Sequence, residues 1–306
     1  MKYIDLHTHT NFSDAEVSLE QSLAAAEELG LAVFSVTDHN TVAAYGDLAR
    51  HRRLYSGKIL PAVELSTVYN GEIIEIIGYG IDVSEMGALI AKSYPSFYDK
   101  QVREAGMDAL ALLQAGVTLD PEFVRKMVEE PQSIFDPSRC TNRPYLLREI
   151  KKHPENARFF ASEEEFRTIG EGKFTRNYLF NAKSPIYSDQ SSLCPSLSEV
   201  IAMIRECGGL AFLAHTFAYS ENIVHALDGI VAYGLDGLEC CYGTFTAEQK
   251  RFVSDYCDAH NLYKSGGSDY HGRMMRPDNV LGYSAGEKIP FSLIEPWFGK
   301  VENTLL

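Results

Sequence analysis

Residues 5–14 read DLHTHTNFSD and place two histidines, His7 and His9, two positions apart on a predicted strand. Because side chains alternate across a β-strand, both imidazoles lie on one face, together with Asp5. Two imidazoles on one face can chelate a metal ion, but the same pattern is typical of solvated histidines on a polar strand. Taken alone, the stretch leaves both interpretations open.

Strands and helices alternate on either side of this stretch. Residues 18–30 predict a helix that begins with a Ser18–Gln21 capping box, and residues 31–39 predict a buried strand. Asn70-Gly71 predicts the tight turn of a hairpin. Repeated βα units return near the C-terminus, so the pattern favours an α/β fold with a parallel sheet, either open or closed into a barrel.

The middle of the chain has a different composition. Residues 84–193 are helical and polar in pattern, whereas residues 1–83 and 194–306 carry the βα units. We therefore expect one α/β domain with a helical insertion, and we expect the insertion to shape the substrate pocket.

Other predicted strands end in side chains that can bind metal. They are Asp38 and His39 in SVTDHN, Glu64 in ILPAVELS, His215 in LAFLAHTF, and Asp269 and His271 in GGSDYHG. Each has an ordinary alternative: Glu64 could pair with Arg52 or Arg53, His215 could be a core histidine, and Asp269 could cap a turn. Together they form a mixed nitrogen and oxygen set that suits Mn²⁺, Fe or Zn²⁺ and is too large for one ion.

Composition narrows the function classes. A formal charge of −14 argues against an extended nucleic-acid surface, although bound cations would still attract a small anionic substrate. The sequence shows no apolar run of membrane-spanning length and no signal peptide, and its six cysteines form no CxxC pair. We therefore expect a cytoplasmic protein without membrane contact.

The ordered motifs DLHTHTNFSD, VTDHN, VELS, EIIEIIGYG, LAHT and GGSDYHG resemble those of the PHP (polymerase and histidinol phosphatase) superfamily. The chain is most similar to its stand-alone metal-dependent phosphoesterases, which include nucleoside bisphosphate phosphatases and a 5′→3′ exonuclease of short RNA. The resemblance implies a distorted (β/α)7 TIM-like barrel that binds two or three divalent ions, namely Mn, Fe or Zn, with Mg as a further option. The implied ligands are His7, His9, Asp14, His39, Glu64, Glu75, His215, Asp269 and His271.

One position departs from the family pattern. The family usually has histidine where this chain has Glu75. A carboxylate is a harder ligand than imidazole, so we expect this part of the site to favour Mn²⁺ or Mg²⁺ over Zn²⁺.

The resemblance also implies a reaction. A metal-activated hydroxide would hydrolyse a phosphate ester in a nucleotide, a nucleoside bisphosphate or a short 5′-phosphorylated, single-stranded oligonucleotide. Asp5 and Asp38 would orient imidazoles, and Asp38 or His39 would pass a proton. Arg143, in NRPYLLREI, would clamp the phosphate, although an arginine at a helix start is equally typical of a solvated side chain.

Two arginines are weaker candidates for the same clamp, Arg176 and Arg273. Two other functions remain open. A metal-dependent amidohydrolase also begins with HxH, but it generally has a lone aspartate at the last strand and a bridging lysine. A non-catalytic metal-binding module would explain the replacement at Glu75.

Overall fold

The structure is a computed structural model that describes residues 1–138 and 140–306. Its strands, numbered along the chain, are β1 Tyr3–Asp5, β2 Leu31–Phe34, β3 Lys58–Ile59, β4 Ala62–Tyr69, β5 Glu72–Tyr79, β6 Leu210–Leu213, β7 Gly237–Tyr242, β8 Tyr263–Gly267, β9 Tyr283–Ser284 and β10 Glu287–Lys288. Its α-helices are α1 Leu19–Glu28, α2 Ala44–His51, α3 Val83–Ser93, α4 Phe97–Gln114, α5 Pro121–Glu129, α6 Arg143–Lys151, α7 Glu163–Thr168, α8 Glu171–Phe174, α9 Leu197–Glu206, α10 Glu221–His225, α11 Leu227–Val231, α12 Ala247–His260 and α13 Glu295–Val301.

The strands form an α/β fold with mixed sheets. One sheet has the order β1-β2-β3 and is parallel, the second has the order β4-β5-β6-β7-β8, and β9 pairs with β10. In the second sheet β6, β7 and β8 are parallel, but β5 runs antiparallel to β6. The predicted parallel pairing is therefore present in both sheets, and the antiparallel strand is the second strand of the predicted hairpin. The two-residue turn at Asn70 (φ 50°) and Gly71 (φ 85°) reverses the chain between β4 and β5, so the two strands run in opposite directions.

Local sequence signals account for several helix boundaries. The predicted capping box at Ser18 and Gln21 begins α1, and an equivalent box at Ser196 and Glu199 begins α9. In each box the serine hydroxyl accepts a backbone N–H that the first helical turn leaves without a partner.

The chain divides into two compact units. The sheet unit comprises residues 1–67, 74–92 and 196–306, and the helical unit comprises residues 68–73 and 93–195. In the sheet unit, Trp297 of α13 is fully buried, its ring centroid lies 5.1 Å from that of Phe212, and its indole N–H donates to the carbonyl of Lys264 at 2.8 Å. In the helical unit, α4 to α8 surround a separate apolar core.

Close packing of β1 and β8 positions the strand ends that matter most below. Gly267 ends β8, and a Cβ atom placed on it would lie only 2.2 Å from the Cβ of His7. Only glycine therefore permits this approach, which brings His7 beside the segment that carries Asp269. Within the described residues, no helix combines the length and the apolar character that a membrane crossing requires.

Candidate metal centre

All nine predicted ligand side chains converge within the sheet unit. Their ligand atoms form four overlapping groups, each with members within 4.8 Å of one another: His9, Asp14, His39 and His271; His7, His9 and Asp269; His7, Glu64 and His215; and His39, Glu64 and Glu75. Seven of these residues lie in the segments after β1, β2, β6 and β8, and Glu64 and Glu75 lie within β4 and β5. They are up to 264 positions apart, so the fold brings them together.

The innermost part of the cluster is buried. The imidazole Nε2 atom of His9 lies 3.3 Å from Glu64 Oε2 and 3.2 Å from Asp269 Oδ1. The Nε2 atom of His7 lies 3.3 Å from Glu64 Oε1. All four residues are inaccessible to solvent or nearly so.

The outer part of the cluster is more open. The Asp14 side chain is 42% exposed, and its carboxylate faces His271 Nε2 at 3.1 Å and His39 Nε2 at 3.7 Å. Glu75 and His39 are about one-fifth exposed, with Glu75 Oε1 lying 3.2 Å from His39 Nδ1. A ligand would therefore reach the centre from the side of Asp14, His39 and Glu75.

The donor atoms fit divalent cations. Buried nitrogen atoms of all five imidazoles, and Glu64 Oε2, have no hydrogen bond of acceptable geometry to any atom of residues 1–138 or 140–306. Unsatisfied buried polar atoms are costly, so they indicate a missing partner. Imidazole nitrogens and carboxylate oxygens aimed at a common point are ligands for Mn²⁺, Fe²⁺ and Zn²⁺, and divalent metal ions are the partners that fit.

The electrostatics of the cluster agree with cation binding. Burial opposes charge on His39 and His215, but nearby carboxylates outweigh it and raise the pKa of each imidazole to about 10. Burial likewise opposes ionisation of Glu64, yet His7 and His39 hold its pKa well below the usual range. The carboxylates therefore remain ionised and attract positive charge, which either protons or metal ions supply.

Two ligand positions have left-handed backbone conformations. His215 has φ 25° and ψ 56°, and Asp269 has φ 54°. Residues with a Cβ atom rarely adopt such angles, although Asn and Asp adopt them more readily than most. The conformational cost therefore falls mainly on His215, which the fold holds in this conformation at the end of β6.

Glu239 contacts the imidazole of His7 and the backbone of His215, and the sequence analysis did not identify it. It is fully buried in β7, where its Oε1 lies 3.0 Å from His7 Nδ1 and its Oε2 accepts the backbone N–H of His215 at 2.8 Å. The first contact fixes the tautomer that leaves His7 Nε2 free for a metal. A carboxylate inside the apolar stretch LDGLECCY was the available signal.

Tyr242 and Arg276 hold one oxygen of Asp269. The Tyr242 hydroxyl donates to Asp269 Oδ2 at 2.7 Å, and the Arg276 guanidinium contacts the same oxygen. Asp269 Oδ1 instead faces the imidazoles. The carboxylate is thereby oriented to offer one oxygen to a metal, a role that no spacing in the sequence indicated.

The expectation that Asp5 and Asp38 orient imidazoles is wrong. Asp5 accepts from the Ser268 hydroxyl at 2.6 Å and from the backbone N–H of Gly282 at 2.7 Å. Asp38 accepts from the backbone N–H of Thr10 at 2.7 Å and from its hydroxyl at 2.6 Å. Both carboxylates are directed at loops next to the strand ends, so they brace the segments that carry ligands.

The loop held by Asp38 leads directly to Asp14. Ser13 donates its hydroxyl to Asp38 Oδ1 at 2.7 Å, one residue before that ligand. The alternative pairing of Glu64 with Arg52 is not formed, because Arg52 donates to the carbonyl oxygens of Gly57 and Leu306.

The arginines proposed as phosphate clamps lie in different surroundings. Arg143 begins α6 in the helical unit, where its guanidinium lies 3.4 Å from Glu104 and 4.8 Å from the ring centroid of Phe180. It is mostly buried, so the alternative of a solvated side chain is wrong. Arg176 and Arg273 are exposed.

Comparisons with known proteins agree with the motifs. Residues 5–97 match the model of the PHP domain. A 3′,5′-nucleoside bisphosphate phosphatase from Chromobacterium violaceum is 24% identical over 274 residues, covering 89% of this chain and 88% of that protein. A phosphoribosyl 1,2-cyclic phosphate 1,2-diphosphodiesterase from Eggerthella lenta is 23% identical over 278 residues, covering 90% of this chain and 97% of that protein.

The fold is also similar to a solved structure. An amidohydrolase from Chromobacterium violaceum with bound sulfate aligns with a TM-score of 0.64 at 20% identity, covering 99% of this chain and 97% of that one. At this identity the similarity shows the fold alone. The match of residues 5–97 to the PHP-domain model, together with the named relatives, confirms the resemblance that the motifs predicted.

Proposed function

We propose that this protein is a metal-dependent phosphoesterase that hydrolyses a small phosphate ester. The observation that carries the proposal is the convergence of nine nitrogen and oxygen ligands, among which buried nitrogens of all five imidazoles and Glu64 Oε2 have no hydrogen-bond partner within the described residues. Relatives named as a phosphatase and a phosphodiesterase support the same reaction class. The substrate that we expect is a nucleotide, a nucleoside bisphosphate or a short 5′-phosphorylated oligonucleotide.

The nine clustered side chains would hold two or three divalent ions, with Mn²⁺ as our first choice. When bound, such ions supply Lewis-acid polarisation of the phosphoryl oxygens and lower the pKa of a water nucleophile. Glu239 would keep the Nδ1 proton on His7, and Tyr242 with Arg276 would keep Asp269 in one orientation. Each of these contacts fixes a ligand before the substrate arrives, which lowers the reorganisation that the reaction requires.

Other side chains would handle the substrate. Of the five clustered imidazoles, His39 is the most exposed to solvent, so we propose that it holds or releases a proton at the entrance of the centre. Asp38 accepts three hydrogen bonds and is buried, so we propose that it positions the Asp14 loop instead of carrying a proton. A phosphate clamp by Arg143 remains a proposal, and Arg143→Lys should then raise KM more than it lowers kcat.

We also propose that the sheet unit closes as the distorted (β/α)7 barrel of the PHP type. Two contacts support this arrangement. The backbone N–H of Leu6, just after β1, donates to the carbonyl of Gly266 in β8 at 3.2 Å, and an isolated parallel bridge joins His39 to Glu64 of β4.

The test is a screen of phosphate esters with and without Mn²⁺, on the parent and on Asp269→Ala. We expect the parent to release phosphate only with added metal, and we expect the variant to be folded by circular dichroism but inactive. Undiminished turnover in Asp269→Ala would contradict the site. Hydrolysis of cyclic amides without hydrolysis of phosphate esters would favour an amidohydrolase, and metal binding without hydrolysis would favour a non-catalytic module.

A further inference from the structure

Glu64 and Glu75 lie on the neighbouring strands β4 and β5, and their carboxylates contact the same two imidazoles. Glu64 Oε2 lies 3.1 Å from His39 Nδ1, and Glu64 Oε1 lies 3.0 Å from His215 Nε2. Glu75 repeats the pattern, with Oε1 lying 3.2 Å from His39 Nδ1 and Oε2 lying 3.2 Å from His215 Nε2. Each carboxylate therefore spans the gap between His39 and His215 with its two oxygens.

The contact between Glu64 Oε1 and His215 Nε2 is a hydrogen bond, but the contacts at His39 Nδ1 are not. His39 Nδ1 is buried and lies close to an oxygen of each glutamate, yet neither contact has hydrogen-bond geometry. Burial and the nearby Glu64 carboxylate both oppose the ionisation of Glu75, but His39 and His215 outweigh them and lower the pKa of Glu75 to about 2. The arrangement requires positive charge on both the His39 side and the His215 side.

We propose that Glu75 is a second bridging carboxylate, shared with Glu64 between one divalent ion at His39 and another at His215. This inference rests on the metal centre of the proposed function and assigns a role within it. Paired ions in metallohydrolases lie about 3.5–4 Å apart, a separation that a bridging carboxylate spans. An imidazole at position 75 would offer one lone pair and could serve only one of the two ions.

The second bridge has a consequence for metal choice. It adds two hard oxygen ligands and one negative charge to a pair of sites that otherwise share Glu64 and imidazoles. Oxygen-rich sites suit Mn²⁺, whereas imidazole-rich sites suit Zn²⁺. Sites with mixed nitrogen and oxygen ligands normally bind Zn²⁺ more tightly than Mn²⁺, and Glu75 should reduce this difference in affinity.

The experiment compares the full-length parent with Glu75→Gln and Glu75→His, each stripped of metal and refilled with Mn²⁺. The readout is the low-temperature EPR spectrum, which separates an exchange-coupled Mn²⁺ pair from isolated ions. We expect a coupled signal in the parent and its loss in Glu75→Gln, with about one equivalent less Mn²⁺ bound. Glu85→Gln, which changes an exposed glutamate of α3, should leave the coupled signal unchanged.

A competition between Mn²⁺ and Zn²⁺ completes the test. We expect Glu75→His to shift the binding ratio toward Zn²⁺ by about tenfold. A coupled signal and a metal ratio that match the parent in both Glu75 variants would overturn the inference, as would a parent without a coupled signal. Failure of the proposed function is a separate result, because a parent that hydrolyses no phosphate ester with any metal can still be scored by EPR.

Discussion

Single side chains outside the ligand set determine how the imidazoles point, and Glu239 is the clearest case. We predict that Glu239→Gln lowers Mn²⁺ affinity about 10–100-fold, because an amide cannot accept from both the His7 ring and the His215 backbone. Competition with a fluorescent chelator measures the effect. Glu287→Gln, at an exposed position, is the matched control. Equal affinities in the two variants would show that Glu239 does not orient the ligands.

A second residue-scale prediction concerns Asp108 of the helical unit. Burial, reinforced by Glu104, raises the pKa of Asp108 to about 6. The folded chain then keeps a proton that the unfolded chain has released, so this carboxyl lowers the free energy of unfolding as pH rises from about 4 to about 6. The loss would reach about 3 kcal/mol at most and would persist at higher pH.

Asp108→Asn should remove that pH dependence. Asn142 donates its amide to Asp108 and has an amide oxygen with no partner in the described chain, so rotation of its amide can accommodate the new donor. Urea unfolding at pH 4 and pH 7 measures the difference, and the exposed Asp255→Asn is the control. Burial also raises the pKa of Asp5, so Asp5 makes the free energy of unfolding depend on pH in the same direction, and Asp108→Asn should remove only part of that dependence. An equal change in the free energy of unfolding between pH 4 and pH 7 in the parent and the variant would contradict the role of Asp108.

At the scale of elements, the approach of β8 to β1 controls the centre. We predict that Gly267→Ala costs about 3 kcal/mol or more, because the new methyl group would overlap the backbone and Cβ of His7. Gly46→Ala in α2 has open space and should instead stabilise the chain by up to about 1 kcal/mol. Denaturant unfolding of both variants tests the pair, and similar stabilities would show that the strands can separate without loss.

The sequence predicted the elements whose signals are local. The capping box at Ser18 and the turn at Asn70 depend on a few adjacent residues, and the structure contains both. The partner of β5 was not predicted, because β5 pairs with β6, a strand more than 130 residues away. The sequence analysis assigned the nine ligand candidates to one site because the family resemblance implies a shared metal centre. The spacing of these residues along the chain does not contain that information.

The supporting residues could not be predicted in the same way. Tyr242 and Arg276 reach Asp269 from β7 and from the loop after β8, and neither belongs to a motif. Asp5 and Asp38 were assigned to imidazoles because they are adjacent to them in sequence. Their carboxylates instead accept hydrogen bonds from N–H and hydroxyl groups of nearby loops, and these contacts depend on tertiary packing.

At the scale of the whole molecule, metal binding should contribute to stability. A net charge of −14 and a cluster of ionised, buried carboxylates favour cations in the folded state over the unfolded one. We predict that chelation lowers the melting temperature by several degrees and that Mn²⁺ restores it, since saturation at 1,000 times the Kd contributes about 4 kcal/mol. Calorimetry with chelator and with Mn²⁺ tests this. A melting temperature that changes with neither the chelator nor Mn²⁺ would contradict metal binding in the native state.

The unusual backbone at His215 has a consequence for how the protein tolerates change. The free energy of unfolding should be about 1 kcal/mol higher for His215→Gly than for His215→Ala, because glycine adopts left-handed backbone angles freely. The glycine variant should then melt at a higher temperature than the alanine variant, although neither keeps the imidazole. The left-handed backbone at the end of β6 is thus a conformational cost that the protein bears in order to present His215.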